Sequence, residues 1–207
     1  MSPIRPVYDP PYDSPLEDAF ARNFTKYAGD MDVYEPQKRI NTICGPFILD
    51  FAAGADGQVV GIECDGKACH DSSRDEWRDA MLLGSGEVDT IYRLRGGDLY
   101  YRMDDCLFVM SRIDPGLFSE RGIVNLERLA SDSARAYNFS QGTSVVLLSY
   151  PREDQTDPQH IFLERRTRHI PPGRREFWVR LYDFATERGG GDLDALIAEF
   201  RAQTRPA

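Results

Sequence analysis

Residues 47–70 read FILDFAAGADGQVVGIECDGKACH, and this stretch decides the fold. Two apolar runs, Pro46 to Ala52 and Gln58 to Cys64, flank the turn-forming string Ala53-Gly54-Ala55-Asp56-Gly57 and predict a hairpin. Strand side chains alternate faces, so Glu63 and Asp65 point the same way, and Asp50 on the other arm comes within reach of them. Carboxylates gathered at one sheet edge repel unless a cation neutralises them, and oxygen ligands alone suit Mg²⁺ or Mn²⁺. Such an ion lowers the pKa of a bound water and shields charge developing on a phosphodiester. His70, just past Gly66, is placed to hold or pass a proton. The plainer reading of the same residues is that Asp50 and Glu63 end solvent-facing strands and Asp65-Gly66 is a turn.

Upstream, Ser14 precedes Pro15 and then Glu17, the pattern of a helix N-cap with its capping-box acid. Leu16, Phe20, Phe24 and Tyr27 follow at helical spacing until Gly29. Residues 1–13, with four prolines, read as an irregular arm. An extended segment from Gln37 to Ile43 leads into the hairpin. Downstream, Asp71 to Leu83 has helical spacing and Val88 to Leu94 reads as a strand. Cys106 to Ile113 fits helix or strand, with Asp104-Asp105 as a candidate cap. The expected order over residues 14–114 is α-β-β-β-α-β, an α/β core with a mixed sheet. After Pro115-Gly116, residues 115–207 read as a C-terminal α/β extension. It has a helix from Leu126 to Tyr137, strands near Ser144 to Tyr150 and Ile161 to Arg168, and helices at about Arg175 to Arg188 and Leu193 to Thr204.

Several of these strings occur together. Leu49-Asp50-Phe51 is followed by Ile62-Glu63-Cys64-Asp65-Gly66-x-x-x-His70, then by Asp75-x-x-Arg78-Asp79-x-x-Leu82-x-x-x-Gly86 and a strand carrying Arg93. With the Ser14-Pro15-Leu16-Glu17 helix start, this pattern resembles the domain family related to the very-short-patch-repair (Vsr-like) endonucleases, within the PD-(D/E)XK nuclease superfamily. The resemblance covers about half the chain and implies a restriction-endonuclease-like core. It implies Asp50 and Glu63 as a metal-binding pair, Glu17 as an accessory carboxylate borne on a helix, and His70 as general acid or base. Asp65 stands where the superfamily more often has lysine, as in this branch, and Lys67 is the nearby positive charge. Asp75, Arg78 and Asp79 read more plainly as helix caps and ion pairs within one helix. Arg93 and Arg95 leave the fourth strand, toward a phosphate backbone or toward solvent.

The activity so implied is metal-dependent endonucleolytic hydrolysis of DNA in repair or defence. The alternative is a nuclease-like module that binds nucleic acid or a protein within a larger assembly without cutting. Charge bears on both. The chain has 207 residues and a net charge of -9, so as a whole it repels polyanions. Yet between Glu164 and Arg180 lie Arg165, Arg166, Arg168, Arg174, Arg175 and Arg180 against two glutamates. Arg166, Arg168, Arg174 and Arg175 are the candidate phosphate contacts there, with Arg165 expected on the opposite strand face. The extension is also the expected surface for a protein partner or a second copy of the chain.

With 41% hydrophobic and 29% charged residues the composition is globular rather than disordered. No apolar run approaches the ~20 residues of a membrane span, and the first twelve residues lack a signal-peptide pattern, so a cytoplasmic protein is expected. Cys44, Cys64, Cys69 and Cys106 read as reduced thiols. A zinc site from Cys44, Cys64, Cys69 and His70 is a weak competitor because no CxxC pair is present.

Overall fold

A computed structural model of the chain describes residues 3–66, 72–139, 144–150, 160–170, 173 and 176–204. The first helix, α1 (Pro15–Tyr27), starts where Ser14 Oγ accepts from the Glu17 N–H at 3.2 Å, and it buries Phe20, Ala21 and Phe24. Strands β1 (Val33–Thr42), β2 (Gly45–Ala55) and β3 (Gln58–Asp65) follow, then α2 (Ser72–Ser85), β4 (Thr90–Arg95) and α3 (Gly96–Ile113). The expected α-β-β-β-α-β order is therefore present. The remainder comprises a 3-10 turn (Pro115–Leu117), α4 (Glu120–Leu129), α5 (Asp132–Ala136), β5 (Val145–Ser149), β6 (His160–Thr167), α6 (Phe177–Glu187) and α7 (Leu193–Thr204).

All six strands form one mixed sheet in the order β1-β2-β3-β4-β6-β5. Only the β3–β4 pairing is parallel among them, and α2 supplies its crossover. The extension thus completes the core sheet: β6 pairs with β4, and β5 lies outside it. One sheet face carries α1 and α3 over Phe51, Ile62, Cys64, Tyr92 and Leu94. The other carries α2 over Ile40, Leu49 and Ile91, with α6 and α7 packed on α2 through Trp77, Met81, Leu181 and Leu196. No helix among the described residues is long and apolar enough to cross a membrane.

Two expectations need correction. The helix expected from Leu126 to Tyr137 is two helices, because Ser131 caps a new one by accepting from the Ala134 N–H at 3.2 Å. Its own N–H is drawn to Asp105 Oδ1 at 2.7 Å. Asp105 is therefore no cap: α3 begins at Gly96, bends at Arg102 (φ -138°, ψ 37°), and buries Asp105 within its span.

The α2–α6 contact is close enough to test. A Cβ on Gly84 would fall 2.1 Å from Cδ2 and Cε2 along the flank of the Tyr182 ring. Gly84→Ala gains helix propensity but displaces that ring, an overpacking that costs about 1–3 kcal/mol. Thermal unfolding is expected at a lower temperature for Gly84→Ala, and Tyr182→Ala in the same chain should abolish the penalty of the added methyl.

Candidate active site

The site forms where the hairpin opens. The β2–β3 ladder runs from Ala55↔Gln58 to Phe51↔Ile62 and stops. The next residues in register, Asp50 and Glu63, mark the fork between the strands. The Cys64 N–H, left without a ladder partner from β2, donates instead to Asp50 Oδ2 at 2.7 Å. That bond satisfies a backbone group which burial would otherwise orphan.

A twist of the ribbon accompanies the fork. Leu49 packs with α2, yet Phe51, two residues on, packs with α1 and α3 on the other face. Across β1 the same exchange separates Ile40 from Tyr34. Regular pleating cannot put residues two apart on opposite faces. The exchange falls at Asp50 and at the residue opposite it, Gln37, whose φ is 51°.

Glu63 is 4% exposed and lies on the α2 face. Its Oε1 stands 2.8 Å from Nη2 of Arg78 on α2, but that atom has no hydrogen bond of acceptable direction. Arg78 donates instead to the Ile48 carbonyl. The pair is thus a close charge contact with the acceptor's lone pairs left open. Burial pushes the Glu63 carboxyl up to about 8; Arg78 opposes the rise and the Asp50 charge adds to it. Burial likewise pushes Asp50 up to about 6, opposed by the Cys64 N–H and reinforced by Glu17. Asp50 therefore senses the charge of Glu17, and Glu63 that of Asp50.

Glu17 is buried at the start of α1. Its Oε1 accepts from Ser14 Oγ at 2.7 Å and its Oε2 from Gln37 Nε2 at 2.8 Å. Asp65 is drawn aside: both its oxygens take Arg93 Nη1, at 3.1 and 3.2 Å. Arg93 is itself buried and gripped by Asp79 at 2.9 and 2.8 Å. Burial alone would lower its pKa, but the hydrogen bonds and charges of Asp79, with Asp65 and Glu63, reverse that and hold it charged. Arg166 joins Asp79 from β6 and also pairs with Glu164 at 2.8 Å.

These contacts revise the reading of the basic residues. Arg93 faces carboxylates inside the fold rather than solvent, and Arg166 is committed in the same network. Arg165 lies on the opposite face as expected, bound to Asp114 through two 2.9 Å contacts. Arg168 is more open, 3.2 Å from the Gly86 carbonyl. Arg95 is exposed, with its guanidinium 4.1 Å over the Phe162 ring, and lines a cavity of about 460 Å³ with Asp65, Gly66 and Gly96. Asp75, Arg78 and Asp79 reach from α2 to charges on the sheet, with Asp75 lying 3.7 Å from Arg93. Lys67, His70, Arg174 and Arg175 lie outside the described residues.

Among the described residues, no three His, Cys, Asp or Glu side chains group as a ready metal cage. Two carboxylates are nonetheless enough for a hard cation that keeps several waters, as Mg²⁺ does. The donor set fits that ion: two oxygen ligands whose burial is penalised in the charged form, one with an acceptor atom lacking a hydrogen bond. It does not fit zinc. Cys44 packs beside Met81 on the α2 side, whereas Cys64 lies in the α1 and α3 core, and the three described cysteines are free. Comparison with protein-family models, curated proteins and solved structures finds no match to this chain.

The raised Glu63 pKa has a consequence for the metal-free protein. Because the folded state holds this proton more tightly than an unfolded carboxyl of ordinary pKa near 4.5, its contribution to stability is full below that value and is lost as pH rises through about 8. Calorimetric melting in a chelator is expected to fall between pH 5.5 and 8.5 more steeply for the wild type than for Glu63→Gln. Parallel profiles would show that Glu63 is already ionised throughout.

Proposed function

We propose that this chain is a metal-dependent nuclease acting on DNA phosphodiester bonds. One observation carries the reading: half-buried Asp50 and buried Glu63 meet at the fork of a hairpin, both pushed up in pKa by desolvation, Asp50 further by Glu17 and Glu63 further by Asp50. The motif resemblance to the Vsr-like endonucleases supports it independently, and the α-β-β-β-α-β order agrees with a restriction-endonuclease-like core.

In this reading Asp50 and Glu63 hold Mg²⁺ or Mn²⁺. When bound there, such an ion would supply an activated water and shielding of the charge that develops on phosphate. Asp50 stays fixed by the Cys64 N–H on Oδ2, and its Oδ1, which takes no hydrogen bond from the described residues, would be the ligating atom. Arg78 serves Glu63 as a counter-charge when no cation is present. Glu17 orients the cluster from α1, Asp65 with Arg93 braces the end of β3, and His70 handles a proton at the water or the leaving group. Arg95 and Arg168, with Lys67, Arg174 and Arg175, contact the phosphate backbone.

The second reading, a module that binds nucleic acid or a protein without cutting, draws on the Arg78 contact with Glu63 and on the net charge of -9. The two separate in one assay. Purified protein is incubated with plasmid, single-stranded DNA and RNA in Mg²⁺, Mn²⁺ or EDTA. Nuclease action predicts metal-dependent cleavage of DNA that falls by orders of magnitude in Glu63→Gln, while melting at neutral pH stays at or above the wild-type temperature. No metal-dependent cleavage of any substrate, or full activity in Glu63→Gln, contradicts it.

A further inference from the structure

Gln37 occupies the left-handed region in the middle of a strand, with φ 51°. A non-glycine residue there is uncommon, and those that tolerate it best are the short Asn and Asp. The other such residue described, Asp56, sits in the hairpin turn, where positive φ closes the loop. Gln37 lies in no turn. Its neighbours Pro36 and Lys38 pair with Phe51 and Leu49, which leaves Gln37 opposite Asp50 without a ladder partner of its own.

Strained backbone persists only where the surroundings over-determine it, and such positions cluster at functional sites. The side chain supplies the reason here. Gln37 Nε2 reaches across to Glu17 Oε2 at 2.8 Å, while Ser14 Oγ holds Oε1 at 2.7 Å. Both oxygens of this buried carboxylate are fixed by neutral donors, and no Lys or Arg among the described residues lies within ion-pair distance of it. Glu17 is oriented but not neutralised, and its charge is felt at Asp50. Buried Asp79 is matched with Arg93, while buried Asp105 and Asp98 are held by neutral donors as Glu17 is; what singles Glu17 out is that its amide donor comes from a residue at positive φ and that its charge bears on Asp50.

We infer that Gln37 is a positioning residue of the cation site, acting through Glu17: the strained backbone aims an amide at the carboxylate and preserves its negative charge for a metal ion held by Asp50 and Glu63. This rests on the Mg²⁺ or Mn²⁺ reading above. Partners that orient a metal site in this way change affinity by about 10–100-fold when removed.

The test is calorimetric titration of Mn²⁺ into the wild type, Gln37→Gly, Gln37→Asn, Glu17→Gln and the Gln37→Gly/Glu17→Gln double variant, with melting measured on each. Glycine accepts φ 51° freely, so Gln37→Gly should melt at or above the wild-type temperature. Asparagine tolerates the same backbone and keeps an amide one methylene short of Glu17. Both are expected to weaken Mn²⁺ binding about 10-fold or more, and Gln37→Gly should add nothing in the Glu17→Gln background. Wild-type affinity in both Gln37 variants overturns the inference and leaves the metal reading standing, as does a loss that persists without Glu17. A wild-type protein that takes up no Mn²⁺ overturns both.

Discussion

A buried carboxylate, Glu63, and a half-buried one, Asp50, stand side by side at the hairpin fork, and much of the surrounding structure answers to that constraint. Ionised carboxyl groups out of water are strongly penalised unless paired or hydrogen-bonded, and neighbouring like charges raise the penalty further. Asp50 meets it by accepting the Cys64 N–H, which the fork in the hairpin exposes. Glu63 meets it only in part, through the charge of Arg78 at 2.8 Å without a directed hydrogen bond. The fork and the ribbon twist between Leu49 and Phe51 are thus the geometric conditions of the site.

The neighbouring charges follow a different rule. Asp79 is fully buried but receives Arg93 and Arg166, and Asp65 and Glu164 complete that network. It ties α2, β3, β4 and β6 together, so removing one arginine would strand a buried charge. Two classes of acid are therefore distinguished by their partners. Asp79 is matched by arginine hydrogen bonds, whereas Asp50 and Glu17 are held by neutral donors.

The sequence carried much of this but not all. Pattern alone predicted the hairpin, the capped first helix and the α-β-β-β-α-β order, because those depend on local periodicity and on turn chemistry at Gly57 and Ser14. Strand alternation brought Asp50 within reach of Glu63 and the resemblance added Glu17; in the structure Glu17 acts on Asp50 and Asp50 on Glu63. Alternation failed at Gln37 and Asp50, where tertiary packing on both faces overrides the pleat and no residue type announces a positive φ. The direction of Arg78 and Asp79 was equally hidden, since helical spacing permits pairs along α2 as readily as contacts to the sheet. The arginine surplus at 164–180 suggested a phosphate surface because composition does not reveal partners: Asp114 and Asp79, which take up Arg165 and Arg166, lie more than fifty residues away in the chain. Ser131, a cap within an otherwise helical run, was a readable signal for the break between α4 and α5.

The central claim is that Asp50 and Glu63 form a cation site which Arg78 guards while it is empty. Crystals of the protein grown with and without Mn²⁺, with the ion located by its anomalous scattering, test this directly. An anomalous peak within bonding distance of both carboxylates is expected, with the Arg78 guanidinium withdrawn from Glu63. Arg78 unmoved on Glu63, with no peak at Asp50 under saturating Mn²⁺, would contradict it.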